Sequence, residues 1–249
     1  MKNLWYHETL GQGTHLVLLH GWGNDSRILR PLAQQLKATH QIHLFDLPGF
    51  GRTAPPSEVW SYRDYAKELE KQLDALGIDM AHLAGHSFGG KVALAMAAGA
   101  PHKVKKLTLI GAAGLKPKRS SSAELRHRLL KGAAALCRYG DELLGTHLFE
   151  TAFVPRFASM DYIQAEGVMR SILVRTLYET VEAVCPEVET ETLLLWGGRD
   201  EQTPVAMAHR FYQLLPRCDL CVLSQHGHHP FLGGGAHLCA RYLRTFFLR

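Results

Sequence analysis

A serine hydroxyl is a weak nucleophile at neutral pH. It needs a base to take its proton and a third group to orient that base. The sequence contains residues able to fill all three roles. Ser87 lies in Gly85-His86-Ser87-Phe88-Gly89-Gly90, the G-x-S-x-G pattern of a nucleophile elbow. Asp200 closes Trp196-Gly-Gly-Arg-Asp200, and His228 lies in Gln225-His-Gly-His-His-Pro230. With 15 histidines in the chain, residue type alone selects none of them, so position decides. His228 follows a glycine that frees the loop to turn, and the order Ser, Asp, His suits acyl transfer through a covalent intermediate. His226 and His229 read as bystanders, with His229 a candidate to line the pocket. The backbone N–H groups of Trp22 and Phe88 are the expected donors to an oxyanion. Both residues are also candidates to touch substrate, because those N–H groups must face the reacting carbonyl. His20 reads as a brace for the Gly21-Trp22-Gly23 loop rather than a proton carrier.

These residues depend on the elements that hold them. Residues 15–20, 41–47, 81–85 and 104–110 are short apolar runs of the kind that form buried parallel strands. Helical patterns cover 27–38, 61–76 and 88–98. Ser61 is suited to cap the second, with Asp64 in its first turn, and Gly77 to stop it. Strand–helix alternation resumes at 192–196, 205–215, 220–223 and 236–248, with Thr203 expected to cap the helix at 205. Alternation of this kind implies a mostly parallel sheet with helices on both faces. Ser87 would fall between a strand and a helix, Asp200 after a later strand and His228 after the last one. That placement separates an elbow from a chance pentapeptide. Between 114 and 189 no strand is apparent, and the stretch reads as several helices inserted into the sheet-forming pattern.

Composition narrows the class further. The chain has 249 residues, 46% of them hydrophobic and 20% charged, enough for a substantial core in one domain. The formal net charge of +5 is a mild excess. Five scattered cysteines (Cys137, Cys185, Cys218, Cys221 and Cys239) imply free thiols in a reducing compartment, and Cys218 and Cys221 fall in a strand pattern unsuited to a redox motif. The opening residues lack a signal-peptide pattern, and no apolar run is long enough to cross a bilayer. A cytoplasmic location, without membrane or nucleic-acid partners, is the expectation. No metal-ligand spacing or phosphate-binding glycine loop appears, and triad chemistry requires no cofactor.

Taken together, Leu18-Leu-His-Gly-Trp-Gly23, Phe45-Asp-Leu-Pro-Gly-Phe-Gly-Arg52, Gly85-His-Ser-Phe-Gly-Gly90, Leu194-Leu-Trp-Gly-Gly-Arg-Asp200 and Gly227-His-His-Pro230 resemble the α/β-hydrolase superfamily. The resemblance implies an α/β-hydrolase fold: a mostly parallel central sheet flanked by helices, with a helical lid insertion. It assigns the core to 1–113 and 190–249 and the lid to 114–189. It also places Ser87, Asp200 and His228 in the catalytic positions, and Asp46 and Arg52 in a loop-organising stretch. The first fifty residues are most similar to the esterases that cleave pimeloyl-acyl-carrier-protein methyl ester in biotin synthesis, through Asn3-Leu-Trp5, Gly11-Gln-Gly13, Leu16 to Gly23 and Asp46 to Gly51. The similarity weakens afterwards; those esterases have tryptophan before the serine where this chain has His86. Two other readings suit the same residues: C–C bond hydrolysis of a ring-fission diketone, and a non-catalytic ligand-binding receptor on the hydrolase fold.

A lid at 114–189 would sit over Ser87 and shape the acyl pocket. Phe149, Phe153, Phe157 and Tyr162 are its candidate lining residues, with Phe153 singled out. Lys116, Lys118, Arg119, Arg126, Arg128, Lys131 and Arg138 face only Glu124 in opposition, while Glu179, Glu182, Glu187 and Glu189 follow. Leu125, Leu129, Ala133 and Leu136 interleave with the basic residues at helical spacing, which predicts an apolar inner face and a charged outer one. That charged face is either a solvated helix surface or a dock for an acidic carrier such as acyl-carrier protein.

Overall fold

Buried parallel strands need apolar side chains on both faces, and the central strands supply them. The computed structural model describes residues 4–116, 121–157 and 159–249, without the side chains of 121–124, 127 and 157. Lys118, Arg119, Glu124 and Phe157 of the sequence reading therefore lie outside the described residues. Seven strands form one sheet: β1 (His7–Leu10), β2 (Thr14–Leu19), β3 (His40–Phe45), β4 (Ala81–His86), β5 (Val104–Ile110), β6 (Thr192–Gly197) and β7 (Cys218–Leu223). Their order is β1-β3-β2-β4-β5-β6-β7, with only β1 antiparallel to its neighbour. β1 is an addition to the sequence reading. It is short, half-buried and sits at the sheet edge, so it shows no buried-strand pattern.

The alternation of side chains along a strand divides the core in two. In β2, Val17 and Leu19 enter the cluster that also holds Leu69, Leu73, Phe88 and Val92. Leu16 and Leu18 enter the opposite cluster with Leu32, Leu36, Leu243 and Phe247. One layer thus contains α2 (Tyr62–Ala75) and α3 (Phe88–Gly99), and the other α1 (Arg30–Leu36), with a C-terminal helix over Gly235–Phe247. α2 begins as expected: the Ser61 hydroxyl accepts from the Asp64 N–H and the Asp64 carboxylate accepts from the Ser61 N–H, at 3.2 and 2.8 Å.

Among the described residues four α-helices, α4 (Ser121–Leu144), α5 (Val154–Phe157), α6 (Met160–Gln164) and α7 (Gly167–Tyr178), lie between β5 and β6, with a π-helical turn over Phe149–Phe153. The expected inner face of α4 is not buried. Leu125, Leu129 and Leu136 are 59%, 66% and 72% exposed, as open as Arg126, Arg128 and Lys131 beside them. Amphipathic spacing defines an apolar stripe but not what covers it, and among the described residues nothing buries Leu125, Leu129 or Leu136. α7 is anchored instead. Lys91 of α3 is buried and donates to the carbonyls of Thr176 and Glu179 at 2.6 and 2.8 Å, where the C-terminal carbonyls of α7 favour a cation. Burial lowers the Lys91 amine to about 8 against the opposing Glu179 charge. The chain ends with α8 (Val205–Leu214) and α9 (Gly235–Phe247).

Candidate active site

The strand order reverses between β2 and β4: the chain builds β3 on one side of β2, then crosses to β4 on the other. Open parallel sheets bind ligands at the carboxyl ends of strands around such a reversal. The loop after β2 carries His20 to Gly23, and the turn after β4 carries Ser87.

Ser87 is the only non-glycine among the described residues with positive φ, at 51° with ψ −113°. That strained conformation joins β4 directly to α3. Small neighbours make it feasible. A Cβ at Gly85 would lie 2.3 Å from the Gly89 carbonyl oxygen, and one at Gly89 2.5 Å from those of Leu19 and His20. Because Phe88 opens α3, its N–H has no carbonyl four residues back within the helix. The Trp22 ring meets the Phe88 ring edge-on at 5.4 Å and the Phe50 ring at 4.9 Å. Gly21 packs against the elbow so closely that a Cβ there would be 3.2 Å from the Ser87 Cβ.

His20 braces this loop. It is fully buried and donates from Nδ1 to the Gly21 carbonyl at 2.8 Å, while Nε2 accepts from the Leu47 N–H at 3.0 Å. Burial holds its ring below the usual imidazole range, against the Gly21 bond and the charges of Asp46 and Asp25. Asp46 organises the next loop, accepting from the N–H groups of Ser26 and Arg52 at 2.7 and 2.9 Å. The Arg52 guanidinium lies over the Tyr6 ring at 4.4 Å.

Asp200 and His228 meet as a pair, Oδ2 to Nδ1 at 2.8 Å, with both residues buried. Asp200 Oδ1 accepts from the N–H groups of Gln202 and Thr203 at 2.9 and 2.8 Å. Burial pushes the Asp200 carboxyl up, but the bonds from His228 and Thr203 outweigh it and hold the group below the usual carboxylate value. A carboxylate bonded to Nδ1–H leaves Nε2 as the free base of a neutral imidazole. Thr203 corrects the sequence reading. Its side chain does not cap α8, which starts after Pro204; its hydroxyl lies 2.8 Å from Asp200 Oδ2 and 3.0 Å from the Gly111 carbonyl. Gly111 gives the pair room, since a Cβ there would approach Asp200 Oδ2 at 3.1 Å.

The other expected residues are spread more widely. His229 packs its ring 4.8 Å from that of His86 and 5.9 Å from Phe231. Phe153 stacks on Phe149 at 5.6 Å within the helical segment. Asp161 and Met169 of the helical segment reach the site loops: Asp161 Oδ1 lies 3.5 Å from a Cβ built on Gly23, and the Met169 sulfur crowds Gly49. Burial raises the Asp161 carboxyl, opposed by His228. Neither residue was legible in the sequence, because their contacts cross more than a hundred positions. Among the described residues no group of three histidine, cysteine or acidic side chains could hold a metal ion, and no helix is long and apolar enough to cross a membrane.

The family described as alpha/beta hydrolase fold matches residues 14–234, and the chain belongs to it. It is 36% identical over 105 residues to the carbamate-hydrolase-type protein RutD of Azorhizobium caulinodans, covering 42% of this chain and 40% of that one. It is 31% identical over 229 residues to the dihydrolipoyllysine-residue acetyltransferase component of the acetoin cleaving system of Pseudomonas putida, covering 87% of this chain and 59% of that one. The chain thus spans 40% to 59% of the length of these curated relatives. Among solved structures, an esterase of Exiguobacterium antarcticum superposes with a TM-score of 0.74 at 20% identity, over 98% of this chain and 95% of that one; this is likeness of fold.

Proposed function

We propose that the protein is a serine hydrolase that cleaves carboxylic esters through an acyl-enzyme. The observation that carries this reading is the buried Asp200–His228 pair at 2.8 Å in the loops after β6 and β7, together with a serine held at φ 51° on a glycine-walled elbow after β4. His228 Nε2 takes the Ser87 proton as Oγ attacks the ester carbonyl. The N–H groups of Trp22 and Phe88 receive the developing oxyanion, the latter aided by the positive end of α3. His228 then protonates the leaving alcohol, and a water that it activates releases the acid. Asp200 keeps the imidazole in the reactive tautomer and stabilises the imidazolium. The finer reading is a carrier-bound substrate such as pimeloyl-acyl-carrier-protein methyl ester, with the helices between β5 and β6 as the lid. Its support is the similarity of the opening segment and the exposure of Arg126, Arg128, Lys131 and Arg138 on α4.

A stopped-flow assay with p-nitrophenyl esters of graded acyl length tests the reaction class. The expected result is a burst of p-nitrophenol of one equivalent per chain, followed by slower turnover. Turnover of a ring-fission diketone without ester cleavage would replace ester hydrolysis by C–C hydrolysis. Ligand binding without any burst would favour the receptor reading.

A further inference from the structure

His86 immediately precedes Ser87, and the chemistry above gives it no role. Its ring is 1% exposed. Nε2 lies 2.9 Å from the backbone carbonyl oxygen of His228. A carbonyl only accepts, so the proton is on Nε2 and Nδ1 carries a bare lone pair. That Nδ1 is buried without a hydrogen-bond partner. Burial, reinforced by the neighbouring His228 and His229, holds the ring neutral, well below the usual imidazole range, with the His228 carbonyl and Asp200 in opposition. An orphaned buried acceptor is destabilising, because it loses its bond to water and gains none in the protein. A phenyl ring of similar shape would avoid that cost and give up the single bond that the ring does make.

That bond joins two parts of the site. The backbone of Ser87 is fixed by the elbow, through its N–H to the Ile110 carbonyl at 3.0 Å and its carbonyl to the N–H groups of Lys91 and Ala113. His228 stands in the loop after β7. The neighbouring peptides of that loop are tied to β6 and the loop after it: the His226 carbonyl accepts from the Arg199 N–H at 2.8 Å, and Gly197 has room for no Cβ against the Gly227 carbonyl. The His228 carbonyl itself is held from the β4 side, by His86. The His86 ring also lies 4.6 Å from the His228 ring, 4.8 Å from His229 and 4.9 Å from Phe231. On its other side, Nδ1 sits 2.9 Å from where a Gly21 Cβ would be. One rigid ring therefore touches the base loop and the loop of the expected oxyanion donor, and its own backbone continues into the serine.

We propose that His86 is a positioning residue: by donating from Nε2 to the His228 carbonyl, it sets the distance and angle between the imidazole of His228 and the hydroxyl of Ser87. The inference rests on the reading of Ser87, Asp200 and His228 as a catalytic triad. It goes beyond that reading by assigning the spacing of nucleophile and base to one buried hydrogen bond. Misplacing reacting groups by about 1 Å costs on the order of 100-fold in rate. Loss of the strut should therefore appear in kcat, with substrate binding little changed.

The test compares His86→Phe, which keeps a ring and removes the donor, with His86→Gln, which restores an amide donor. The readouts are kcat and KM for a p-nitrophenyl ester across pH, and the low-field proton resonance of the Asp200–His228 hydrogen bond. That resonance needs no substrate. The expected result for His86→Phe is a kcat lowered on the order of 10- to 100-fold, KM changed less than about threefold, a displaced acid limb of the kcat/KM profile, and a broadened or missing resonance. The Gln variant should recover most of the rate and the resonance. A folded Phe variant with unchanged kcat and resonance overturns the proposal. So does a folded Gln variant as impaired as Phe. Should the Phe variant not fold, Gln alone decides, and a kcat loss greater than about tenfold counts against the strut. Wild-type protein that shows the resonance but gives no acyl-enzyme burst would contradict the esterase reading instead, so the two failures are distinguishable.

Discussion

The ends of β2, β4 and β6 and the surface of α4 obey opposite packing rules. At the strand ends a single methyl group is too much: Gly85, Gly89 and Gly197 each face a backbone oxygen that an added Cβ would strike. Along α4 the reverse holds. Gly132 has open space around it, and Leu125, Leu129 and Leu136 stand largely in solvent. Under the proposed function the first region holds the reacting groups at fixed separations, which requires a site over-determined by backbone contacts. The helical segment that includes α4 is anchored at its other end, where Lys91 grips the last turn of α7. Under the proposed function, chemistry and substrate choice fall to parts of the molecule with very different tolerance to change.

Four experiments can break or sharpen that contrast. The largest effect is expected from Gly89→Ala, whose Cβ meets two rigid carbonyls at 2.5 Å. It should cost about 4 kcal/mol or more, or prevent folding, read as the loss of a cooperative melt; a variant with wild-type Tm would show that the elbow can relax. Next, Leu18→Ala, at a fully buried position of β2, should lose about 2–5 kcal/mol in urea unfolding, whereas Leu129→Ala on α4 should stay within about 0.5 kcal/mol. An equal loss at both positions would mean that the α4 stripe is covered in solution.

The third concerns acid. His43 bridges His7 and His15 through its two ring nitrogens, at 2.9 and 2.8 Å. Burial, with the neighbouring His7 and His15, lowers its pKa to about 4. The unfolded chain protonates this ring near its ordinary value, so it binds the proton before the folded chain does. Stability is therefore complete above about pH 6.5 and falls as pH drops toward 4, by up to about 3 kcal/mol for this ring. Urea midpoints at pH 7 and 4.5 should converge in His43→Gln relative to wild type; identical pH slopes would remove His43 from the account. The fourth is Gly132→Ala, expected to stabilise by about 0.5–1 kcal/mol through helix propensity alone. A destabilised variant would reveal a close neighbour at that face.

The same contrast explains what the sequence disclosed. The turn at Ser87 and the Asp200–His228 contact were legible because the proposed triad demands residue types in a set order after successive strands, and the central strands are apolar runs bounded by glycine. Thr203 was misread: a threonine two residues before a helix looks like a cap, and only the folded loop shows its hydroxyl turned to Asp200. Lys91 gave no signal, since a lysine in a helix reads as surface until its carbonyl partners at Thr176 and Glu179 are in place. The α4 leucines announced an apolar stripe correctly, but the spacing of one helix says nothing about whether another element comes to meet it.

The central claim is that Ser87 is an activated nucleophile. Its most direct test is mass spectrometry of the folded protein after exposure to a fluorophosphonate. The account predicts one phosphonyl adduct per chain, on the peptide containing Ser87, absent in Ser87→Ala and formed far more slowly in Asp200→Asn. An unmodified Ser87 in folded protein, or labelling that proceeds equally well without Asp200, would contradict it.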